Sequence, residues 1–228
     1  MKTKLIYYTL IFFLSMSVAN AQSTLLDKTS YAILGGVNFQ NLTGKDNSGN
    51  KLTNNLIVAF HAGISVDIPI VHEFYFQPAL LFSKKGAKNS YGSLTGTYNL
   101  SYIEMPLNFV YKSALGNGFV MLGFGPYIAY ATGGKSNIES GTESLEKDIR
   151  FKNVVEAGDD YLTVYAKRFD AGGNILAGYQ MAGGLFIQLE TQLGMVKINP
   201  DDQRTSPEFS DLLSIKNTGF GLSLGYRF

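Results

Sequence analysis

Large apolar residues recur at every second position along most of this chain. The stretch TGFGLSLGYRF (218–228) sets Phe220, Leu222, Leu224, Tyr226 and Phe228 against Gly219, Gly221, Ser223, Gly225 and Arg227. A period of two belongs to a β-strand with one apolar face. The same alternation fills Tyr31 to Phe39, Val58 to Ile68, Phe74 to Phe82, Ile103 to Tyr111, Val120 to Tyr130, Phe169 to Tyr179 and Leu185 to Met195. Eight strands are predicted.

The connections alternate in length. PIVHE, SALGNG and QMAGG are tight, whereas 41–56, 85–97, 133–164 and 197–212 are long and polar. Each strand is long enough for the ~9–11 tilted residues that cross a bilayer. Short turns at one end and long loops at the other predict an all-β fold, an eight-stranded antiparallel up-and-down transmembrane β-barrel. Its tight turns and Phe228 would lie in the periplasm and its long loops outside. A soluble lipocalin-like barrel has the same alternation turned inside out. The second face decides against it, being mostly Gly, Ser, Asn, Gln and Tyr with few charges.

Composition agrees. Charged residues are 16%, against about 25% in ordinary soluble domains, while Gly (25), Phe (16) and Tyr (14) abound. The net charge of +1 gathers on no basic face, which argues against a nucleic-acid partner. The opening MKTKLIYYTLIFFLSMSVANAQ has Lys2 and Lys4, an apolar run and Ala19-Asn20-Ala21. It reads as a secretory signal cleaved after Ala21, giving a signal at 1–21 and a barrel domain at 22–228. Without cysteine, neither a lipoprotein anchor nor a disulfide framework is expected.

The stretch SYIEMPLNFVYKSALGNGFVMLGFGPYIAY (101–130) resembles the PorT-like outer-membrane β-barrel family common in Bacteroidetes. The likeness rests on Tyr102, Glu104, Pro106 and Leu107, then on Gly123, Gly125, Pro126 and Tyr127. RFDAGGNILAGYQMAGGLFIQLETQLGMVKINP (168–200) resembles further family blocks, departing at Met195 and Val196. These motifs are structural, and the family has no single shared activity. The terminal Phe228 is similar to the signal read by barrel-insertion machinery.

Counting by twos sends His61, Asp67, Gln77, Glu104, Asn174, Gln188, Glu190, Gln192 and Arg227 into the lumen, with Arg168 beside them. As paired carboxylates, Glu104 and Glu190 can be an acid/base dyad or a metal site. An eight-stranded barrel, however, is only wide enough for side chains to fill it, so a polar plug is the stronger expectation. Asp67 and Arg227 are candidates to pair near the periplasmic rim. His61 and His72 are the only histidines, and neither lies in the extracellular half or on the lipid face. No enzyme activity, metal or cofactor is therefore expected. Asp159, Asp160, Asp201 and Asp202 lack a calcium-loop motif.

Lys84, Lys167, Lys197 and Lys216 fall on the lipid-facing parity at the extracellular ends of strands. There they can snorkel toward lipopolysaccharide phosphates. The loop at 133–164 is the largest patch for an envelope protein partner. The expected function is a structural or interaction subunit of the outer membrane, within a larger envelope or secretion assembly, with a small channel as the alternative.

Overall fold

The computed structural model describes residues 28–92, 94–141, 143–204 and 212–228. The signal segment at 1–21 lies outside the described residues. The strands are β1 (Ser30–Lys45), β2 (Ile57–Val71), β3 (Phe74–Tyr91), β4 (Leu94–Leu115), β5 (Gly118–Ser140), β6 (Glu143–Asp148), β7 (Arg150–Phe151), β8 (Val154–Val155), β9 (Tyr165–Ala166), β10 (Phe169–Met181), β11 (Leu185–Gly194), β12 (Asp201–Asp202) and β13 (Ser214–Arg227). Eight of them close a ring in the order β1, β2, β3, β4, β5, β10, β11, β13, with every neighbour antiparallel. The fold is an up-and-down barrel. Closure leaves no unpaired edge in the hydrocarbon, where a bare N–H or C=O costs several kcal/mol.

Its two faces are sorted as lipid requires. Phe124, Ile175, Leu189 and Leu224 point outward and are exposed, whereas Asp67, Glu104, Asp170 and Ser223 point inward and are buried. The soluble lipocalin-like alternative fails on this sorting, because its apolar stripe would have to be the interior. Aromatic rings pack across strands on the outer face. Phe39 stacks on Phe220 at 4.9 Å between centroids, and Phe109 meets both Phe76 (5.5 Å) and Phe124 (6.4 Å).

Two expected loops are largely strand. The polar stretch at 85–97 forms a hairpin that continues β3 and β4 through a turn with Gly92 at φ 59°. Likewise β5 continues to Ser140 and pairs with β6. Above the bilayer such residues need no apolar stripe, so periodicity does not reveal them, and the neighbouring strand satisfies their backbone groups. A bulge at Ser101/Tyr102 separates the spanning part of β4 from this extension. Two short parallel pairings, β7 with β9 and β8 with β12, stitch the long connections together.

Candidate functional site

The lumen holds two ionic clusters with a polar layer between them. The periplasmic cluster centres on Asp67 of β2. Its carboxylate accepts from Gln77 Nε2 at 2.7 Å, from Lys112 Nζ, and lies 2.6 Å from Arg227 Nη1. Gln180 Oε1 accepts from Lys112 Nζ (3.1 Å) and from Arg227 Nε (2.9 Å). The strands impose this meeting, since Asp67 and Arg227 occupy inward positions on the two neighbours of β1, opposite Ser30 and Ala32.

The extracellular cluster centres on Lys85, which is fully buried. Its Nζ lies 2.7 Å from Glu104 Oε2 and 3.2 Å from Asp170 Oδ2, and 4.1 Å from the Tyr127 ring centroid. Asp170 also accepts from Tyr127 Oη and from Asn217 Nδ2 (2.9 Å), and Glu104 accepts from Gln192 Nε2. Every charge here has a partner, which offsets the loss of water. In the layer between, His61 contacts Asn38 Oδ1 through Nδ1 and Ser223 Oγ through Nε2, each at 2.7 Å. Asn38 Oδ1 can only accept, so Nδ1–H donates to it and the Nε2 lone pair accepts from the Ser223 hydroxyl, which fixes the tautomer of the ring. Glu190 receives a long bond from Gln188 Nε2 (3.5 Å), and Asn174 faces Gln192 across the β10–β11 ladder.

Above the Lys85 cluster the lumen turns apolar. Ile149, Ala166 and Ile198, from the long connections, pack on Leu42, Ala87, Leu100, Tyr102 and Tyr127. Lower down, Ala32, Val110, Met121, Leu176 and Phe186 fill the space left between polar groups. The free space beside Gln77, Asn108, Gln188 and Glu190 is only about 10 Å³, near the minimum for one water. The larger space, about 220 Å³, lies at the periplasmic mouth.

A closed barrel with apolar outer walls and a polar interior is also what a sequence-family match describes. Residues 20–198 match the family described as "Outer membrane protein beta-barrel domain". The chain belongs to that family. No curated protein matches the sequence. Among solved structures, the attachment invasion locus protein Ail of Yersinia pestis is similar at 11% identity and a TM-score of 0.37, over 87% of this chain and 99% of that one. Ail in complex with the heparin analogue sucrose octasulfate is similar at 13% identity and a TM-score of 0.38, with the same coverage. Neisserial surface protein A is similar at 12% identity and a TM-score of 0.41, over 88% of this chain and 98% of that one.

For this outer-membrane barrel, all nine lumenal candidates from His61 to Arg227 are buried. Arg168 is not among them. Its Nη1 donates to Ala131 O at 2.8 Å and its guanidinium lies over the rings of Phe151 and Tyr130. The residue precedes β10, so strand parity does not govern it. Glu104 and Glu190 form no free dyad, since Lys85 and Gln192 occupy Glu104. Sequence reasoning passed over Lys85, Lys112 and Asp170. Lys85 and Lys112 lie on the inward parity two residues beyond Ser83 and Val110, where the count by twos would have reached them had it run past the apolar stripes, whereas Asp170 sits inside the sixth stripe, on its inward face, and lacked only an assigned partner.

At the rim, Lys84 Nζ sits 5.2 Å from the ring centroid of outward-facing Phe60. Lys167 pairs with Asp201 at 3.2 Å, and Lys216, on β13, is half-buried opposite Thr43. Lys197, also half-buried, follows β11. The loop aspartates form no cation cage. Asp159 binds Lys152 (2.6 Å), Asp202 binds Arg204 (2.7 Å), and Asp160 accepts from Thr163 Oγ1 (2.6 Å). These contacts hold Asp159, Asp160 and Asp202 below the usual carboxylate range, the Lys152, Thr163 and Arg204 side-chain bonds being the leading causes. Among the described residues no group of three or more His, Asp or Glu is placed to hold a metal. Phe228 is exposed on the outer face, edge-on to Tyr226 at 5.1 Å, and its amide donates to Tyr31 O.

Proposed function

We propose that this protein is a non-enzymatic interaction subunit of the outer membrane that works through its extracellular surface. The observation that carries this reading is the filled lumen. Two ionic clusters and an apolar cap stand in series along the axis and fill the lumen among the described residues. What remains available to a partner is the raised sheet of β3, β4, β5 and β6 with its stitched loops. That region exposes Ile138, Leu145, Tyr161 and Leu162, apolar side chains outside the belt that lipid covers.

Further parts of the reading rest on sequence. The signal is removed after Ala21, Phe228 is read by the barrel-insertion machinery, and the PorT-like likeness of residues 101–130 supports membership of a Bacteroidetes envelope or secretion assembly. The rim lysines Lys84, Lys167, Lys197 and Lys216 contact lipopolysaccharide phosphates. The perch of Lys84 over lipid-facing Phe60 supports this, because it holds an ammonium at headgroup height. Replacing all four by Gln is expected to loosen lipopolysaccharide co-purification, and unchanged retention would count against it.

Planar-bilayer recording joined to gentle detergent purification tests the main proposal. Silence in the bilayer is expected, together with a discrete co-isolated envelope protein that is lost when 143–164 is replaced by a Gly/Ser linker. Stable unit conductance would overturn it in favour of a channel.

A further inference from the structure

We infer that the polar layer between the two ionic clusters holds one sodium ion, bound to Glu190. The small cavity there, about 10 Å³, lies between opposite walls of the ring. Ser65, Gln77 and Asn108 line it from β2, β3 and β4, and Gln188 and Glu190 from β11.

Charge is the first argument. Among the described residues four carboxylates are buried in the lumen, those of Asp67, Glu104, Asp170 and Glu190. Asp67 contacts Lys112 and Arg227, while Glu104 and Asp170 share Lys85. Glu190 alone has no basic side chain against it, and its hydrogen bond is the long contact from Gln188 Nε2. Lys85 is the cation whose charge reaches it, and that charge is already divided between two other carboxylates. An ionised Glu190 is costly at this depth unless a cation completes it.

The donor set is the second argument. Asn108 lines the cavity at 3% exposure, and its Oδ1 has no hydrogen-bond partner. A buried oxygen is ordinarily completed by a protein donor, a water or an ion. Gln77 turns its Nε2 to Asp67 and Gln188 its Nε2 to Glu190, which leaves each with its Oε1 to offer. Ser65 adds a hydroxyl. One carboxylate among neutral oxygens suits a hard cation of single charge. Calcium wants 6–8 oxygens and magnesium keeps several waters, for which there is no room. A water fits the space but leaves the charge uncompensated, and potassium is larger than sodium. The site stands apart from the extracellular reading above, and the two can fail independently.

The test uses the full barrel, refolded into detergent micelles in sodium, potassium or choline chloride at one ionic strength and followed by gel mobility against temperature. The unfolding midpoint is expected to be at least about 3 °C higher in sodium than in choline, with potassium between them. Glu190→Gln should erase the difference between salts, because a neutral amide needs no cation. Should that variant fail to fold, Asn108→Leu keeps the carboxylate, replaces one ligand by an apolar group of like size, and should shrink the sodium effect. Equal midpoints in sodium and choline would overturn the site and leave Glu190 neutralised by a proton. A sodium effect unchanged in Glu190→Gln would overturn Glu190 as its seat, and one unchanged in Asn108→Leu would overturn the donor set. Potassium as effective as sodium would overturn sodium as the occupant.

Discussion

Asp67 Oδ2 and Arg227 Nη1 lie 2.6 Å apart, joining the second strand of the barrel to the last one across β1. This contact spans the seam where the first and last strands meet, and both side chains are buried. Its two halves are not equivalent. Arg227→Gln leaves Asp67 paired with Lys112, whereas Asp67→Asn removes the charge of a carboxylate that two buried cations both contact. Asp67→Asn is therefore expected to cost about 3–5 kcal/mol and Arg227→Gln less. Gel mobility of the unboiled barrel against temperature measures this, with Asp67→Asn losing its compact band first.

The Lys85 cluster gives a sharper test of the same physics. Lys85→Met leaves Glu104 and Asp170 as buried carboxylates without their cation, and a loss of about 3–5 kcal/mol is expected. Adding Glu104→Gln and Asp170→Asn to that variant should recover most of the loss. A triple variant no more stable than Lys85→Met would show that packing, not charge, sets the penalty.

Gly219 answers why the last strand has so thin an inner face. A Cβ there would come within 2.6 Å of Gln40 Cδ, its cross-strand partner. Gly219→Val is expected to destabilise the barrel by about 1–3 kcal/mol through overpacking. Leu222→Val on the outer face of the same strand exchanges one lipid contact for another and should change the melting temperature little. Equal effects would refute the assignment of the two faces.

Acid should loosen the extracellular loops before the barrel. Asp159, Asp160 and Asp202 have folded pKa values below their ordinary ones, so their contribution is present above the unfolded pKa and is lost as pH falls through the folded value. Hydrogen exchange in the 150–165 and 199–204 segments is expected to rise as pH drops from about 4 toward 2, relative to the intrinsic rate, while the spanning strands stay protected. Unchanged protection across that window would separate the loop packing from these carboxylates.

Much of the barrel was legible because a strand reports its faces at every residue. Asp67, Gln77, Glu104 and Arg227 could be assigned to the lumen by counting from the nearest Phe or Leu, and the tight turns at His72-Glu73 and Gly116-Asn117 showed where strands reverse. The count loses force outside the hydrocarbon. At 85–97 and 133–140 the strands continue with no apolar stripe to mark them, so Lys85 looked like a loop residue. Arg168 failed for the opposite reason, since parity was extended to a position where the chain has not yet entered β10.

The sequence by itself determined the number of strands, their up-and-down order and which residues turn inward, because alternation and turn length are local properties. Only the tertiary structure decided which inward residues meet. Lys85 finds Asp170 across 85 positions and Arg227 finds Asp67 across the barrel seam, and those distances depend on the stagger with which the ring closes. The same closure brings Ile149, Ala166 and Ile198 over the lumen as a lid, and leaves Lys112 and Arg227 sharing one carboxylate at the other end. Periodicity carries direction but not height, and height is what selects partners.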